Sequence, residues 1–363
     1  MILLWQLIQL LIALTFFVIF KKMKNIIVIP SYHTGTSLDE MLQSIQLLIQ
    51  ENKWPIEIIG ADLRVNDKSG NDLFDTEEEV SGYNTLLKRL YERKDVERIL
   101  FLDFFFPGID MYKYFMEVTC IKPKLGAFML GGTFLSGDLY QWDWLKEAEK
   151  LWFTIFDTLY VPSKYFFDSV PLNVQNKVQI SPWGIDHSLQ IINTVKRENI
   201  SKEYDVIFPH RLDKDKGVDE FIQIVESMPE VNFYISVYAP SEDNSYFKKL
   251  KGFPNVHFLT GEDDVEHLRS LHKSKIVLSC AKQETHGYSM IKAVLSGAIP
   301  LVPNREVYPE LYPQEFIYKD VEDTIKKIRA ILKDTNPMDF EDLQNKFEGY
   351  SFKSLLSDFF ELS

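Results

Sequence analysis

The sequence predicts an α/β protein: two Rossmann-like, doubly wound parallel-sheet domains in tandem, facing each other across a cleft. Three observations carry this. After Met23, short apolar runs alternate with amphipathic stretches, the pattern of layered strands and helices. The alternation pauses once, at "HSLQIINTVKRENISKE" (187–203), which is polar, lacks a clear period and reads as a linker. A chain of 363 residues, 45% of them apolar, is also long enough for two separate cores.

The first domain is assigned to residues 23–186. "NIIVIPS" reads as a buried strand, followed by the helix "SLDEMLQSIQLLIQEN" with Leu38, Leu42, Ile45, Leu48 and Ile49 on one face. "IEIIGADL" is the next strand, residues 80–94 a helix, and "RILFLDFFF" and "KLGAFML" further strands. A helix at about 142–156 precedes "TLYVPS", and "KVQIS" comes last. The second domain, 204–340, opens with "YDVIFP" and a helix with Val218, Phe221, Ile222, Val225 and Met228 on one face. Strands "VNFYISVY", "VHFL", "KIVLS", "IPLV" and "FIY" follow, separated by helical or turn segments. Parallel sheets of this kind bind ligands at the carboxyl ends of their strands, so the facing ends define the cleft.

Residues 1–20, "MILLWQLIQLLIALTFFVIF", are apolar except for Gln6, Gln9 and Thr15. As a helix the run spans about 30 Å, a bilayer core. Lys21, Lys22 and Lys24 follow, which predicts a membrane anchor in residues 1–22 with the domains on the cytoplasmic side. The alternative is a start at Met23 and a cytoplasmic protein without the anchor. A net charge of −13 argues against a general nucleic-acid binder. Cys120 and Cys280 have no metal-ligand spacing, and two reduced, buried thiols are expected. No GxGxxG follows the first strand and no GxxxxGK[ST] occurs, which removes the main support for dinucleotide and P-loop readings.

Two loops carry chemistry. In "PHRLDKDKGVDEF" (209–221) a strand ends, Arg211 and Lys216 follow, and Gly217 opens a helix. A helix start with two cations suits a phosphate. In "SCAKQETHGYSMIKAVLSGAIPLVP" a strand leads through Glu284 to Gly287, where a ligand can approach the backbone, and a helix starts near Tyr288. Glu284 can accept two hydroxyl donors, as a sugar ring presents.

Together these stretches resemble the retaining GT-B glycosyltransferases of family 4. That family carries G-R-L-x-x-x-K-G; here "HRLDKDKG" matches, with His210 for the first glycine. It carries E-x-F-G before a helix and a small-x-G-x-P-V turn; here "ETHGYSMIKAVLSGAIPLV" matches, with His286 for the phenylalanine. "SPWGID" and "FDTLYVPSKYF" resemble two further motifs. The resemblance implies transfer of a hexose from a UDP- or GDP-linked sugar to a glycan, polysaccharide or lipid-linked acceptor. It implies that Arg211 and Lys216 hold the diphosphate, Glu284 the sugar hydroxyls, and the N–H groups near Gly287 and Tyr288 the leaving phosphate. The nucleotide sugar is a substrate, and neither cofactor nor metal is expected; "DKD" (213–215) reads as solvated.

On the acceptor side His33 and Gly35, after the first strand, and Asp138, in "LGGTFLSGDLYQWDW", are the candidates. The family's second glutamate, eight residues after the first, is Lys292 here, so a pairing of Lys292 with Glu284 or a phosphate is expected. The resemblance also implies that residues 341–363 form a C-terminal helix that crosses back onto the first domain. The departures at His210, His286 and Lys292 leave a non-catalytic nucleotide-sugar-binding protein as the alternative.

Overall fold

The structure is a computed structural model that describes residues 24–30, 32–33, 37–65, 77–135, 141–198, 200–236, 243–259, 263–334 and 338–362. The apolar run 1–20, Gly35, Asp138 and the side chain of His33 lie outside this set. Among the described residues no helix is long and apolar enough to cross a membrane.

The first domain runs β1 (Asn25–Val28), β2 (Tyr32–His33), α1 (Ser37–Asn52), β3 (Ile56–Ile59), β4 (Arg64–Val65), α2 (Glu77–Tyr91), β5 (Arg98–Phe101), α3 (Ile109–Thr119), β6 (Lys124–Phe128), α4 (Asp143–Ile155), β7 (Thr158–Val161), α5 (Lys164–Ser169) and β8 (Val178–Ile180). Its main sheet is parallel in the order β3-β1-β5-β6-β7-β8. Neighbouring side chains go to opposite faces of the sheet, as the strand period of two requires. Ile26, Val28, Ile99 and Phe101 enter the core under α2, α3, α4 and α5, while Ile27, Ile29, Leu100 and Leu102 enter the core under α1.

After α6 (Asp186–Val195) the second domain runs β9 (Tyr204–Phe208), α7 (Val218–Ser227), β10 (Phe233–Ser236), α8 (Ser245–Leu250), β11 (Val256–Leu259), α9 (Asp264–Lys273), β12 (Ser274–Leu278), α10 (Tyr288–Leu295), β13 (Ile299–Pro303), α11 (Tyr308–Leu311), β14 (Ile317–Tyr318) and α12 (Val321–Lys333). The parallel order is β11-β10-β9-β12-β13-β14. In sequence order this is 3-2-1-4-5-6, which puts the topological switch point between β9 and β12. The two loops singled out from the sequence leave the carboxyl ends of these two strands, so the sheet order brings them together.

Two segments depart from expectation. The stretch read as a linker is largely helical: α6 buries Ser188, Ile192 and Val195, an i, i+4, i+7 stripe too narrow to stand out among its polar neighbours. It packs on α1 and on α9, one helix from each domain. The last stretch is two helices, not one. In α13 (Glu341–Glu348), Leu343 and Phe347 join the second core. In α14 (Lys353–Phe360), Leu355, Leu356, Phe359 and Phe360 join the first. Gly126 makes room for α14, since a Cβ there would lie 2.6 Å from the Phe359 ring.

Candidate active site

The β9–α7 loop is shaped by Gly217, whose φ of +69° lies in the left-handed region. A Cβ at this position would stand 1.8 Å from the Cys280 carbonyl oxygen, so only glycine lets the two switch-point loops touch. The contact is reinforced by the backbone, with the Lys282 N–H donating to the Asp215 carbonyl at 2.7 Å. Lys216 is held between the loops. Its Nζ lies 3.5 Å from Glu284 Oε2 and 3.4 Å from Asp215 Oδ2, and donates to the Gln283 carbonyl at 3.2 Å. Arg211, half exposed, reaches Asp213 Oδ2 at 3.0 Å and Asp215 Oδ2 at 3.8 Å.

In the second loop Gly287 takes φ +79° and opens α10. Its N–H donates to Glu284 Oε1 at 3.1 Å, so Glu284 caps this helix start while its other oxygen faces Lys216. A carboxylate and two cations therefore stand side by side at the mouth of a helix, where the positive end of the dipole favours an anion. The fold brings together Arg211, Lys216, Glu284 and Gly287. Tyr288 is the first residue of α10, so its N–H lies beside that of Gly287, while its side chain leaves the site and its hydroxyl donates to the Gly184 carbonyl at 3.2 Å, at the joint between the domains. His33, Gly35 and Asp138 have no described side-chain position.

The two aspartates of "DKD" are engaged rather than solvated, because the loop folds over both cations. This has a measurable consequence. Asp215 partly neutralises the cations, so Asp215→Asn is expected to tighten UDP or GDP binding about two- to fivefold at low ionic strength, the worth of a part-exposed ion pair. Isothermal titration calorimetry reads this directly. A weaker nucleotide complex would show that Asp215 serves to order the loop.

Lys292 does not meet Glu284. Its Nζ lies 2.5 Å from Oε2 of Glu40, on α1 of the first domain. Glu40 also accepts from the Ser188 hydroxyl at 2.6 Å and the Ser44 hydroxyl at 3.2 Å. Burial alone would raise its carboxyl, but the Lys292 charge and the hydrogen bonds from Lys292 and Ser188 prevail and hold it below its usual value. The reason for the difference is direction: α10 points Lys292 at the first domain, and α6 holds α1 within its reach. Further contacts cross between the domains. Glu310 accepts from the Lys164 and Tyr165 N–H groups at the start of α5, at 2.8 and 2.7 Å, and the Ser163 hydroxyl donates to the Thr285 carbonyl at 3.3 Å.

His210 and His286 replace smaller and apolar residues of the family pattern, and both are buried. The His210 ring lies against Phe208, with its Nε2 unbonded. His286 sits among Trp183, Tyr288 and Tyr350, at centroid distances of 5.1, 4.6 and 5.9 Å. It fills an aromatic's place, and neither ring nitrogen meets a partner in hydrogen-bonding geometry. Sequence reading missed Glu40, Glu310 and Arg305. Only Arg305 left a signal, since it closely follows a strand end. Its guanidinium donates to the Ala281 and Cys280 carbonyls at 2.9 and 2.8 Å and steadies the second loop.

No family model matches the chain. Over 132 residues it is 33% identical to the tRNA-queuosine alpha-mannosyltransferase of Drosophila melanogaster, a match that spans 34% of each chain. Among solved structures it is similar to the sucrose-phosphate synthase of Thermosynechococcus elongatus, with a TM-score of 0.68 at 12% identity over 93% of this chain and 98% of that one. It is also similar to the catalytic domain of starch synthase IV from Arabidopsis thaliana bound to ADP and acarbose, with a TM-score of 0.65 at 11% identity over 93% and 98%. This relative and these neighbours are glycosyltransferases. The two parallel sheets, their order and these neighbours show that the chain has the GT-B glycosyltransferase fold.

Proposed function

We propose that the chain is a retaining hexosyltransferase of family 4 that uses a UDP- or GDP-linked sugar. The observation that carries this is the placing of Lys216 3.5 Å from Glu284, with Arg211 on the same loop, at the switch point of the second sheet. Transfer of a sugar builds negative charge on the departing diphosphate. Arg211, Lys216 and the positive end of α10 stabilise that charge where it forms, with no metal required. Glu284 stands next to them, where the sugar hydroxyls of a bound donor would lie. In a retaining transfer the leaving phosphate can itself take the acceptor proton, so no protein base is needed. The partial likeness to a mannosyltransferase makes mannose the first sugar to test.

For the acceptor, the apolar run 1–20 and the lysines after it favour a lipid-linked or polysaccharide hydroxyl at the cytoplasmic face of a membrane. The name of the partial relative makes a tRNA-borne nucleoside the other acceptor to test. A donor screen by thermal shift identifies the nucleotide, because a bound donor stabilises the fold by mass action. Transfer of labelled sugar then separates a transferase from a binding protein; tight donor binding with no turnover would sink the catalytic reading. Within the site, Arg211→Ala is expected to weaken UDP or GDP binding about tenfold, or about 1.4 kcal/mol. Glu284→Ala should largely spare the nucleotide and abolish transfer. Equal losses of nucleotide affinity in both variants would show that the two residues do not divide the donor in this way.

A further inference from the structure

A helix on a sheet ordinarily buries one stripe and shows water a polar face. α3 and α4 do not. α3 buries Ile109, Tyr112 and Met116, and exposes Met111, Tyr114 and Val118 at 57, 73 and 63%. α4 buries Leu145, Trp152 and Phe153, and exposes Trp144 and Leu151 at 63 and 54%, with Trp142 exposed just before it. The two helices are neighbours on the same face of the first sheet, so the six side chains share one outer surface. Trp142 and Trp144 are stacked on each other, 6.0 Å between centroids, and remain open to solvent. Scattered exposed apolar residues need no explanation, but a row of them along two adjacent helices marks a surface that something covers.

The flanking charges narrow the choice. Lys113, Lys146 and Lys150 each pair with a carboxylate on the same helix, at 2.7, 3.2 and 2.6 Å. The surface is thus close to neutral on a chain of net charge −13. Paired lysines do not suit a nucleic-acid backbone. Exposed tryptophan and tyrosine beside aliphatic side chains suit the headgroup level of a bilayer, where ring and polar edge are both satisfied. The position agrees. α3 runs from the carboxyl end of β5 to the amino end of β6, so Val118 lies at the amino end of the sheet, where the described chain begins. There the Lys24 carbonyl accepts from the Glu97 N–H at 2.8 Å, and the Glu97 carbonyl accepts from the Lys124 N–H at 2.9 Å. The apolar run 1–20 precedes the described chain at that end.

We infer that the outer face of α3 and α4 lies on the surface of a lipid bilayer, so that the first domain is held flat against the membrane rather than hanging free from its anchor. This rests on the anchor reading of residues 1–20 and goes beyond it, by assigning the orientation of the folded domain. With Trp142 and Trp144 at the strand ends nearest the cleft, this pose opens the cleft beside the lipid surface, as a lipid-linked acceptor would require.

The test uses the full chain in phosphatidylcholine vesicles. Cys280 is buried as expected, but Cys120, at the end of α3, is exposed rather than buried, so in a Cys120→Ser background a nitroxide can be placed at Tyr114→Cys, at Leu151→Cys and, as a control, at Lys326→Cys on α12. Power saturation compares access of oxygen, which concentrates in lipid, with access of a water-soluble nickel chelate. Positions 114 and 151 are expected to favour oxygen and position 326 nickel. If the protein floats with vesicles while 114 and 151 behave like 326, the docking is wrong and the anchor stands. If the protein does not float, both fail. Shielding of 114 without lipid also overturns the inference, in favour of a second copy if it grows with protein concentration, and of the chain's own apolar run if it does not.

Discussion

Replacing Lys292 with glutamate is expected to lower the unfolding free energy by about 3–5 kcal/mol, the range for breaking a buried ion pair. It should also cut turnover at least tenfold, about 1.4 kcal/mol in barrier terms. Glu40 and Lys292 are 6 and 18% exposed, and they belong to different domains. The substitution would press two carboxylates together where water cannot screen them. It would also push apart the helices that set the geometry of the cleft. The control is neutral. Lys292→Met alone strands a buried carboxylate and should cost a similar amount. Adding Glu40→Gln removes the stranded charge and should recover most of the loss, since a neutral pair of similar volume replaces a buried ion pair at little cost. Urea unfolding of the three variants reads the cycle. Full stability in Lys292→Glu would show that the two residues do not meet.

Acid is expected to destabilise the protein well before its carboxylates titrate. Burial pushes the imidazole of His210 down to about 3, with the nearby Lys216 charge adding to the effect. Burial likewise pushes His286 down to about 3, against the opposing charge of Glu284. In the unfolded chain both rings gain a proton near their ordinary pKa of about 6.5. Below that value the unfolded state binds more protons than the folded one, so stability falls as pH falls. The contribution is complete above about pH 6.5 and is lost progressively down to about pH 3. From about pH 7 to about pH 5.5 the two rings together account for a loss of about 2.5 kcal/mol. His286→Phe keeps an aromatic in the cluster with Trp183, Tyr288 and Tyr350, and should remove one ring's share of that loss, about 1.3 kcal/mol, while leaving stability at pH 8 nearly unchanged. An identical pH dependence in wild type and variant would mean that the folded protein accommodates a charged His286.

The sequence alone determined the strands and the order of the two domains. Runs such as those at Ile26–Val28 and Val206–Phe208 are continuously apolar, the mark of a strand buried on both faces, and a parallel α/β architecture follows from their alternation with helices. It also marked Arg211, Lys216, Glu284 and Gly287, because a loop between a strand end and a glycine-opened helix start has local chemistry that can be read locally. Helix α6 was missed because only three of its residues are buried. Their stripe gains meaning only when α1 and α9 are present to cover it. The partner of Lys292 was beyond reach for the same reason. Nothing near Glu40 in the chain distinguishes it from the solvated carboxylates of other helices. It is buried only because α6 carries Ser188 to its oxygens and holds α1 beside α10. The unbonded nitrogens of His286 and Trp183 likewise exist only where the segment between β8 and α6 and the second switch-point loop close on each other. Local pattern gives each element its shape and each loop its chemistry. Which charges are buried, and against what, depends on how distant elements pack, and the tertiary structure alone decides that.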